Sequence, residues 1–153
     1  MAEVIKQHYV VDGTDFTRAG EASGKIKKTL KDIGFPPQAV RNTAIAVYEA
    51  EINLVIHAGG AEIDAEITPE YVKVVLTDHG PGIENIELAM QEGYSTAPDR
   101  IRALGFGAGM GLPNIKKYSD EMDIQTELGV GTVMTLKINA KNLRYICPKA
   151  NTI

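Results

Sequence analysis

Three groups of residues in this chain have the types and spacing that chemistry needs. Glu49, Asn53 and His57 recur at i, i+4 and i+8, which projects side chains from one side of a helix. An acid and an amide on an otherwise apolar helix are costly unless they are solvated, paired or used. Asp78 follows an apolar run that includes Val72, Val74 and Leu76, and precedes His79-Gly80-Pro81-Gly82. That pattern reads as a buried strand ending in an acid and a glycine turn. The third group is Gly105-Phe106-Gly107-Ala108-Gly109-Met110-Gly111-Leu112, with glycine at alternate positions. Such a run lets the backbone approach a ligand closely and turn its N–H groups toward it. It feeds a helix pattern over residues 112–121, and a helix N-terminus favours phosphate through its free N–H groups and dipole. An acid at a strand end and an anion cradle together imply a nucleotide held at both ends.

Other nucleotide loops do not fit. The P-loop pattern, glycine, four residues, then Gly-Lys-Ser/Thr, occurs nowhere in the chain. The dinucleotide fingerprint fails because Met110 stands five residues after Gly105 and Leu112 five after Gly107. Its strand context fails too, since Asp99-Arg100-Ile101-Arg102 upstream is no buried strand. The His-Arg-Asp and Asp-Phe-Gly signatures of eukaryotic-type protein kinases are absent.

A chain of 153 residues is expected to form one domain with a real core, over residues 1–140, followed by a tail over 141–153. Its 44% hydrophobic and 24% charged residues are those of an ordinary globular protein. The formal charge of -4 and a pI near 5.4 argue against a direct nucleic-acid footprint. Cys147 stands alone, which rules out an internal disulfide framework and fits a reducing compartment. No apolar run approaches a membrane span and the N-terminus lacks a signal pattern, so a cytoplasmic location without membrane attachment is expected. Three scattered histidines and one cysteine give no zinc spacing.

The elements that must position these groups follow from pattern. A first strand is predicted over residues 3–11, and a helix over 16–33 that ends at Gly34. Gly20 and Gly24 weaken that helix or mark a face of close packing. Pro36-Pro37 opens the longest helix pattern, residues 37–58. Ile45, Tyr48, Ile52, Val55 and Ile56 form its apolar stripe for the core, beside the polar stripe of Asn42, Ala46, Glu49, Asn53 and His57. Residues 61–67 and 71–77 predict a β-hairpin that delivers Asp78 to its glycine turn. A short helix over 85–92 precedes an irregular segment from Gly93 to the glycine run, of the length that often serves as a functional lid. After the helix over 112–121, residues 122–128 and 131–139 make a last hairpin. The tail is polar and expected to be loosely held.

With these residues laid out, the chain resembles the GHKL (Bergerat-fold, HATPase_c) ATP-binding family of gyrase, Hsp90, histidine-kinase and MutL ATPase domains. The likeness covers about residues 40–138 and rests on four boxes in order. Glu49-Ala50-Glu51-Ile52-Asn53 resembles the first and Asp78-His79-Gly80-Pro81-Gly82 the second; residues 105–112 resemble the third and Gly129-Val130-Gly131-Thr132 the fourth. Within the family the chain looks most like the small single-domain serine/threonine kinases of anti-sigma switches, the RsbT and RsbW type. Ile83, then Ala89-Met90-Gln91-Glu92-Gly93-Tyr94-Ser95-Thr96, and Ser119-Asp120-Glu121-Met122 carry that closer likeness. The resemblance implies an α+β fold, a two-layer α/β sandwich with a mixed, mostly antiparallel sheet and helices on one face.

It also implies roles. Asp78 would accept the adenine amino group, which separates adenine from guanine because a carboxylate has no donor to offer. Gly82 would let the backbone pass close to the base, Thr132 would hold Asp78 or a water beside it, and Gly80 and Ile83 would border the nucleotide. Asn53 would bind Mg²⁺, a hard cation that takes oxygen ligands and bridges phosphates. Gly105, Gly107, Gly109, Met110, Gly111 and Leu112 would cradle the phosphates of ATP. Glu49 would act as general base on the attacking hydroxyl. Arg100 and Arg102 are candidates for stabilising γ-phosphate charge, with a solvated role the alternative. His57 is open between a site-facing and a solvent-facing role; His79 and Cys147 read as bystanders.

The implied function is an ATP-dependent serine/threonine protein kinase acting on a STAS-type anti-sigma antagonist. Two alternatives stand beside it. One is a module that binds such an antagonist or a sigma factor with little chemistry. The other is a histidine-kinase catalytic domain, against which His57 is followed by Ala58-Gly59-Gly60 rather than an acid. A homodimer is compatible with each.

Overall fold

The computed structural model describes residues 4–14, 18–91 and 111–140. Strand β1 (Ile5–Asp12) leads to helices α1 (Glu21–Asp32) and α2 (Pro37–His57), and then to the hairpin β2 (Gly60–Ile67) and β3 (Tyr71–Asp78). The short α3 (Ile86–Ala89), α4 (Gly111–Tyr118) and the hairpin β4 (Glu121–Glu127) and β5 (Gly131–Asn139) follow. The expected lid over 93–104, the glycine run as far as Met110 and the tail over 141–153 lie outside the described residues.

Strand alternation builds the sheet. Ile63, Ala65, Ile67, Val72, Val74, Leu76, Met134, Leu136 and Ile138 point to one side and are buried, while Glu62, Asp64, Lys73 and Val133 point to the other and are exposed. A one-residue slip would exchange the two sets, so the period of two fixes the register. The strand order is β1-β2-β3-β5-β4. The two-layer α+β arrangement is as expected, and the mixed sheet narrows to one that is antiparallel at every described pairing. Turn chemistry sets both hairpins. Thr68 Oγ1 accepts the N–H groups of Glu70 and Tyr71 at 3.2 and 3.1 Å, and Val130 N–H donates to the Glu127 carbonyl at 3.0 Å.

Helices α1, α2 and α4 cover the apolar face, with α2 between the other two. Pro36, extended at ψ 132, and Pro37 start α2, where a missing N–H costs nothing. The stripe expected to face the core is a correction. Ile45, Tyr48 and Ile56 are only half-buried, whereas Val40, Ala46, Val47, Ala50 and Leu54 are buried with Ile52 and Val55. Because α2 is packed on two sides, small residues at Ala39, Ala46 and Ala50 face its neighbours and widen the buried arc.

Three helix bounds are also corrected. The first helix begins at Glu21 rather than residue 16, because Gly20 takes φ 103, a left-handed conformation that costs glycine little. Gly24 marks no close packing, since nothing lies within 4 Å of where its Cβ would be. Helix α3 spans four residues, with the Asn85 side chain capping it by accepting Leu88 N–H. Helix α4 ends at Tyr118, and β4 starts at Glu121. Among the described residues no helix is long and apolar enough to cross a membrane.

Candidate nucleotide site

The C-terminal half of α2 carries Glu49 and Asn53 one turn apart, both half-buried, on the side where α4 packs. The first turn of α4 meets both. A Cβ on Gly111 would stand 2.7 Å from Asn53 Nδ2 and 2.8 Å from its Oδ1, so glycine leaves the Asn53 amide its place against the start of α4. Asn114, three residues on, brings its side-chain amide to the Glu49 carboxyl. Burial pushes the Glu49 carboxyl above its ordinary value, and the Asn114 amide acts in the opposite direction. His57, one turn beyond Asn53, is exposed at the rim, and partial desolvation lowers its pKa.

At the other end, Asp78 is 9% exposed at the last position of β3. Its Oδ1 accepts two backbone N–H groups, from Gly80 at 2.9 Å and from Thr132 at 3.2 Å. No described donor meets Oδ2. The carboxylate is therefore anchored by one oxygen and offers the other as an acceptor. Thr132 does hold Asp78, but through its backbone N–H; its hydroxyl lies 2.9 Å from that of Thr126. Gly82 takes φ 83, and its Cβ would fall 2.7 Å from the Glu127 carbonyl oxygen. The demand for glycine there comes from packing on the β4–β5 turn, which Gly129 N–H also ties to the Pro81 carbonyl at 3.0 Å. Gly80 likewise presses on the end of α2, where its Cβ would meet Ala58 Cα at 2.8 Å.

Between the two ends lies a cavity of about 680 Å³, inside the range of roughly 300–1,000 Å³ typical of small-ligand clefts. Asn53, Asp78, Gly82, Ile83, Gly111, Leu112 and Thr132 all line it. Its apolar walls are Ala50, Leu54, Leu76, Leu88 and Met134, a slot suited to a flat heterocycle with a polar edge toward Asp78. Glu49 and Gly80 sit beside the lining rather than in it. Arg100, Arg102, Gly105, Gly107, Gly109 and Met110 lie outside the described residues. No group of three or more His, Cys, Asp or Glu among the described residues could hold a metal ion. Asn53 remains as a neutral oxygen donor at the cavity wall, which suits Mg²⁺ only where phosphates complete its shell.

Three residues that support the elements of this site escaped the sequence patterns. Glu51, 2% exposed, accepts Ala22 N–H at 3.2 Å and Ser23 N–H at 3.0 Å. Its signal was an acid at i+4 from Val47 and i–4 from Val55, both buried. Thr126 had a signal too, as the polar residue at the inward parity of β4 after Met122 and Ile124. Asn114 had none, since its partner is on another helix.

Comparison with known proteins agrees with the fold. The family model described as histidine kinase-like ATPase domain matches residues 14–138. The anti-sigma F factor of Clostridium beijerinckii is 34% identical over 104 residues, covering 64% of this chain and 69% of that protein. The serine/threonine-protein kinase RsbT of Bacillus subtilis is 29% identical over 110 residues, covering 69% of this chain and 77% of that one. Among solved structures, one containing the RsbU and RsbW domains of a Mycobacterium tuberculosis protein superposes with a TM-score of 0.58 at 17% identity. It covers 88% of this chain, which spans only 32% of that longer one, and at such identity the likeness is one of fold.

Proposed function

Because the chain belongs to the histidine kinase-like ATPase domain family, we propose that it is an ATP-dependent serine/threonine protein kinase of the anti-sigma type. Its protein substrate is a STAS-type anti-sigma antagonist. The observation that carries this reading is the polarity of one cavity. Asp78, with one oxygen committed and one offered, stands at its base end. Asn53 stands at the other end against the start of α4, with Glu49 one turn away.

In this reading ATP is a substrate whose adenine amino group donates to Asp78 Oδ2. Asn53 would hold Mg²⁺, which would neutralise phosphate charge. Gly105, Gly107, Gly109 and Met110 supply backbone N–H groups to the phosphates, and Arg100 and Arg102 add positive charge there. A partner serine or threonine hydroxyl attacks the γ-phosphorus while Glu49 takes its proton. The new O–P bond forms as the bond to the β-phosphate bridging oxygen breaks, and ADP leaves.

The test is capture of the partner with the tagged protein in the presence of ATP and Mg²⁺, followed by mass spectrometry for phosphoserine or phosphothreonine. A second reading has support in the anti-sigma F factor name of a relative and in the place of Glu49 beside the cavity lining. It is a module that binds a sigma factor or antagonist, with ATP ordering the surface. Capture without phosphate on the partner decides for it.

A further inference from the structure

The long helices all pack on one side of the sheet, and among the described residues the other side is bare. On that bare side the strand register sorts charge into columns. β2 presents Glu62, Asp64 and Glu66, and β4 presents Glu121, Asp123 and Glu127. Between them β3 and β5 present Val75, Thr77, Val133 and Thr135, a β-branched strip without charge. Neighbouring strands lie about 4.8 Å apart, so the acidic columns flank a trough about 14 Å wide. Lys73 and Lys137 face each other at one end of it. Lys137 is already committed, 3.4 Å from Glu121 and stacked on the Tyr71 ring, and His8 pairs with Asp64 at 2.7 Å. Asp123 and Glu127 have no cation within ion-pair distance among the described residues.

A trough with acidic sides repels nucleic acid, anionic lipid and the same face of a second copy. What fits it is a basic segment with apolar side chains, and the chain supplies one where the trough begins. β5 ends at Asn139, and Ala140 N–H donates to the Glu70 carbonyl at 2.7 Å, next to the Lys73–Lys137 end. Residues 141–153, outside the described part, follow directly. They carry Lys141, Arg144 and Lys149 and no acid, with Leu143, Tyr145 and Cys147 at alternate positions. From Asn139 back to Val133 the trough is about 20 Å long, and residues 141–153 reach about 40 Å when extended. Direct attachment holds the segment at the trough at an effective concentration on the order of millimolar, ahead of a free competitor. We propose that residues 141–153 lie along this trough of their own molecule, a third layer on the back of the sheet with its cations against the acidic columns. The proposal does not depend on what the cavity binds.

The test attaches a nitroxide to Cys147, the only cysteine, and reads the amide signals of the isotope-labelled full chain. The amides of Val75, Thr77, Val133 and Thr135 should lose most of their intensity, and more of it than any amide of α1 or α2. Asp123→Lys combined with Glu127→Lys turns two exposed attractions into repulsions. It should lower the ratio of docked to free segment about two- to thirtyfold, with intensity returning to the strip. A label-free arm guards against disturbance by the nitroxide. There, Arg144→Glu combined with Lys149→Glu should shift the same four amide signals from their parent positions. Broadening confined to residues beside Ala140, or stronger on α1 and α2 than on the strip, overturns the proposal. So do four unmoved amides in the label-free arm, or a strip signal indifferent to the Asp123 and Glu127 changes. A mixture of spin-labelled chains without isotope and isotope-labelled chains without nitroxide separates one molecule from two. An undiminished strip in that mixture supports docking within the molecule, whereas broadening there assigns the segment to a second copy and overturns it.

Discussion

The Glu51 carboxylate accepts the N–H of Ser23 at 3.0 Å, and with Ala22 N–H at 3.2 Å it caps a helix to which it does not belong. Ala22 and Ser23 are the second and third residues of α1, whose own N-cap, Gly20, has no side chain to offer. A capping side chain ordinarily comes from the residue just before the helix. Here it comes from the middle of α2, between Glu49 and Asn53. The negative charge meets the positive end of the α1 dipole in a buried setting. The same bonds fix the rotation of α2 about its axis, and therefore the direction in which Glu49 and Asn53 project.

Glu51→Ala is expected to remove both acceptors and leave a small void, lowering stability by about 2–4 kcal/mol. Glu51→Gln keeps one acceptor oxygen and the volume, for a loss of about 1–2 kcal/mol. Urea unfolding followed by circular dichroism measures both. An alanine variant within 0.5 kcal/mol of the parent, roughly the scatter of neutral surface changes, would show that the cap contributes nothing.

This cap also explains what the sequence could and could not reveal. Helix α2 was legible because Pro36-Pro37 and Gly59-Gly60 act locally, and both hairpins because alternation and turn residues do. The start of α1 was not, since Gly20 and a carboxylate 28 residues away in sequence from Ser23 set it. The core stripe of α2 was misplaced for a related reason. Large apolar residues at Ile45, Tyr48 and Ile56 stood out in the pattern, but a helix packed on two sides buries its small residues where neighbours come closest. At the site, Asp78 and Asn53 were found by type, and the cavity joins them. Thr126 and Asn114 matter only through bonds across the fold, which no spacing rule encodes.

Asp78→Asn keeps the shape of the base end while removing its charge and placing an amide donor where an acceptor is needed. Loss of a charge-assisted bond should cost roughly 1.5–3 kcal/mol, or about 10- to 150-fold in ATP affinity. The Gly80 and Thr132 N–H groups still find the amide oxygen, so stability should change far less than affinity. Titration with ATP and GTP checks this, and parent curves that coincide for the two nucleotides would refute the assignment of Asp78.

Gly111→Ala separates packing from function at the other end. The added methyl improves helix propensity by up to about 1 kcal/mol, so the thermal midpoint should hold or rise slightly. Its Cβ would nonetheless sit 2.7 Å from the Asn53 amide, the movable end of a side chain. Asn53 is therefore displaced, and nucleotide affinity should lose most of its dependence on Mg²⁺. ATP titrations with Mg²⁺ and with EDTA measure that dependence. Should the variant respond to Mg²⁺ as the parent does, Asn53 is no metal ligand.

The last prediction concerns Glu49 as the base. Burial raises its carboxyl above the ordinary 4.5, and the Asn114 amide lowers it again. No charged side chain among the described residues enters that balance. A base works only when deprotonated, so phosphotransfer should fall as pH drops through the raised pKa, giving an acid limb above 4.5. Removing the opposing influence moves the limb one way only. Asn114→Leu, close in size but without the amide donor, should shift the acid limb to higher pH and leave ATP affinity unchanged. Glu49→Gln keeps size and most hydrogen bonding but cannot take a proton. It should bind ATP and partner as the parent does and lose about 10²–10⁴-fold in phosphorylation of the captured partner. In the Glu49→Gln background, Asn114→Leu should have no further effect on transfer, because it acts through the carboxylate that is gone. A Glu49→Gln protein that phosphorylates its partner at the parent rate rules out Glu49 as the base. If the parent itself binds its partner and transfers nothing, the site is a nucleotide-gated binding surface, and Glu49 and Asn114 then matter only for how α4 seats on α2.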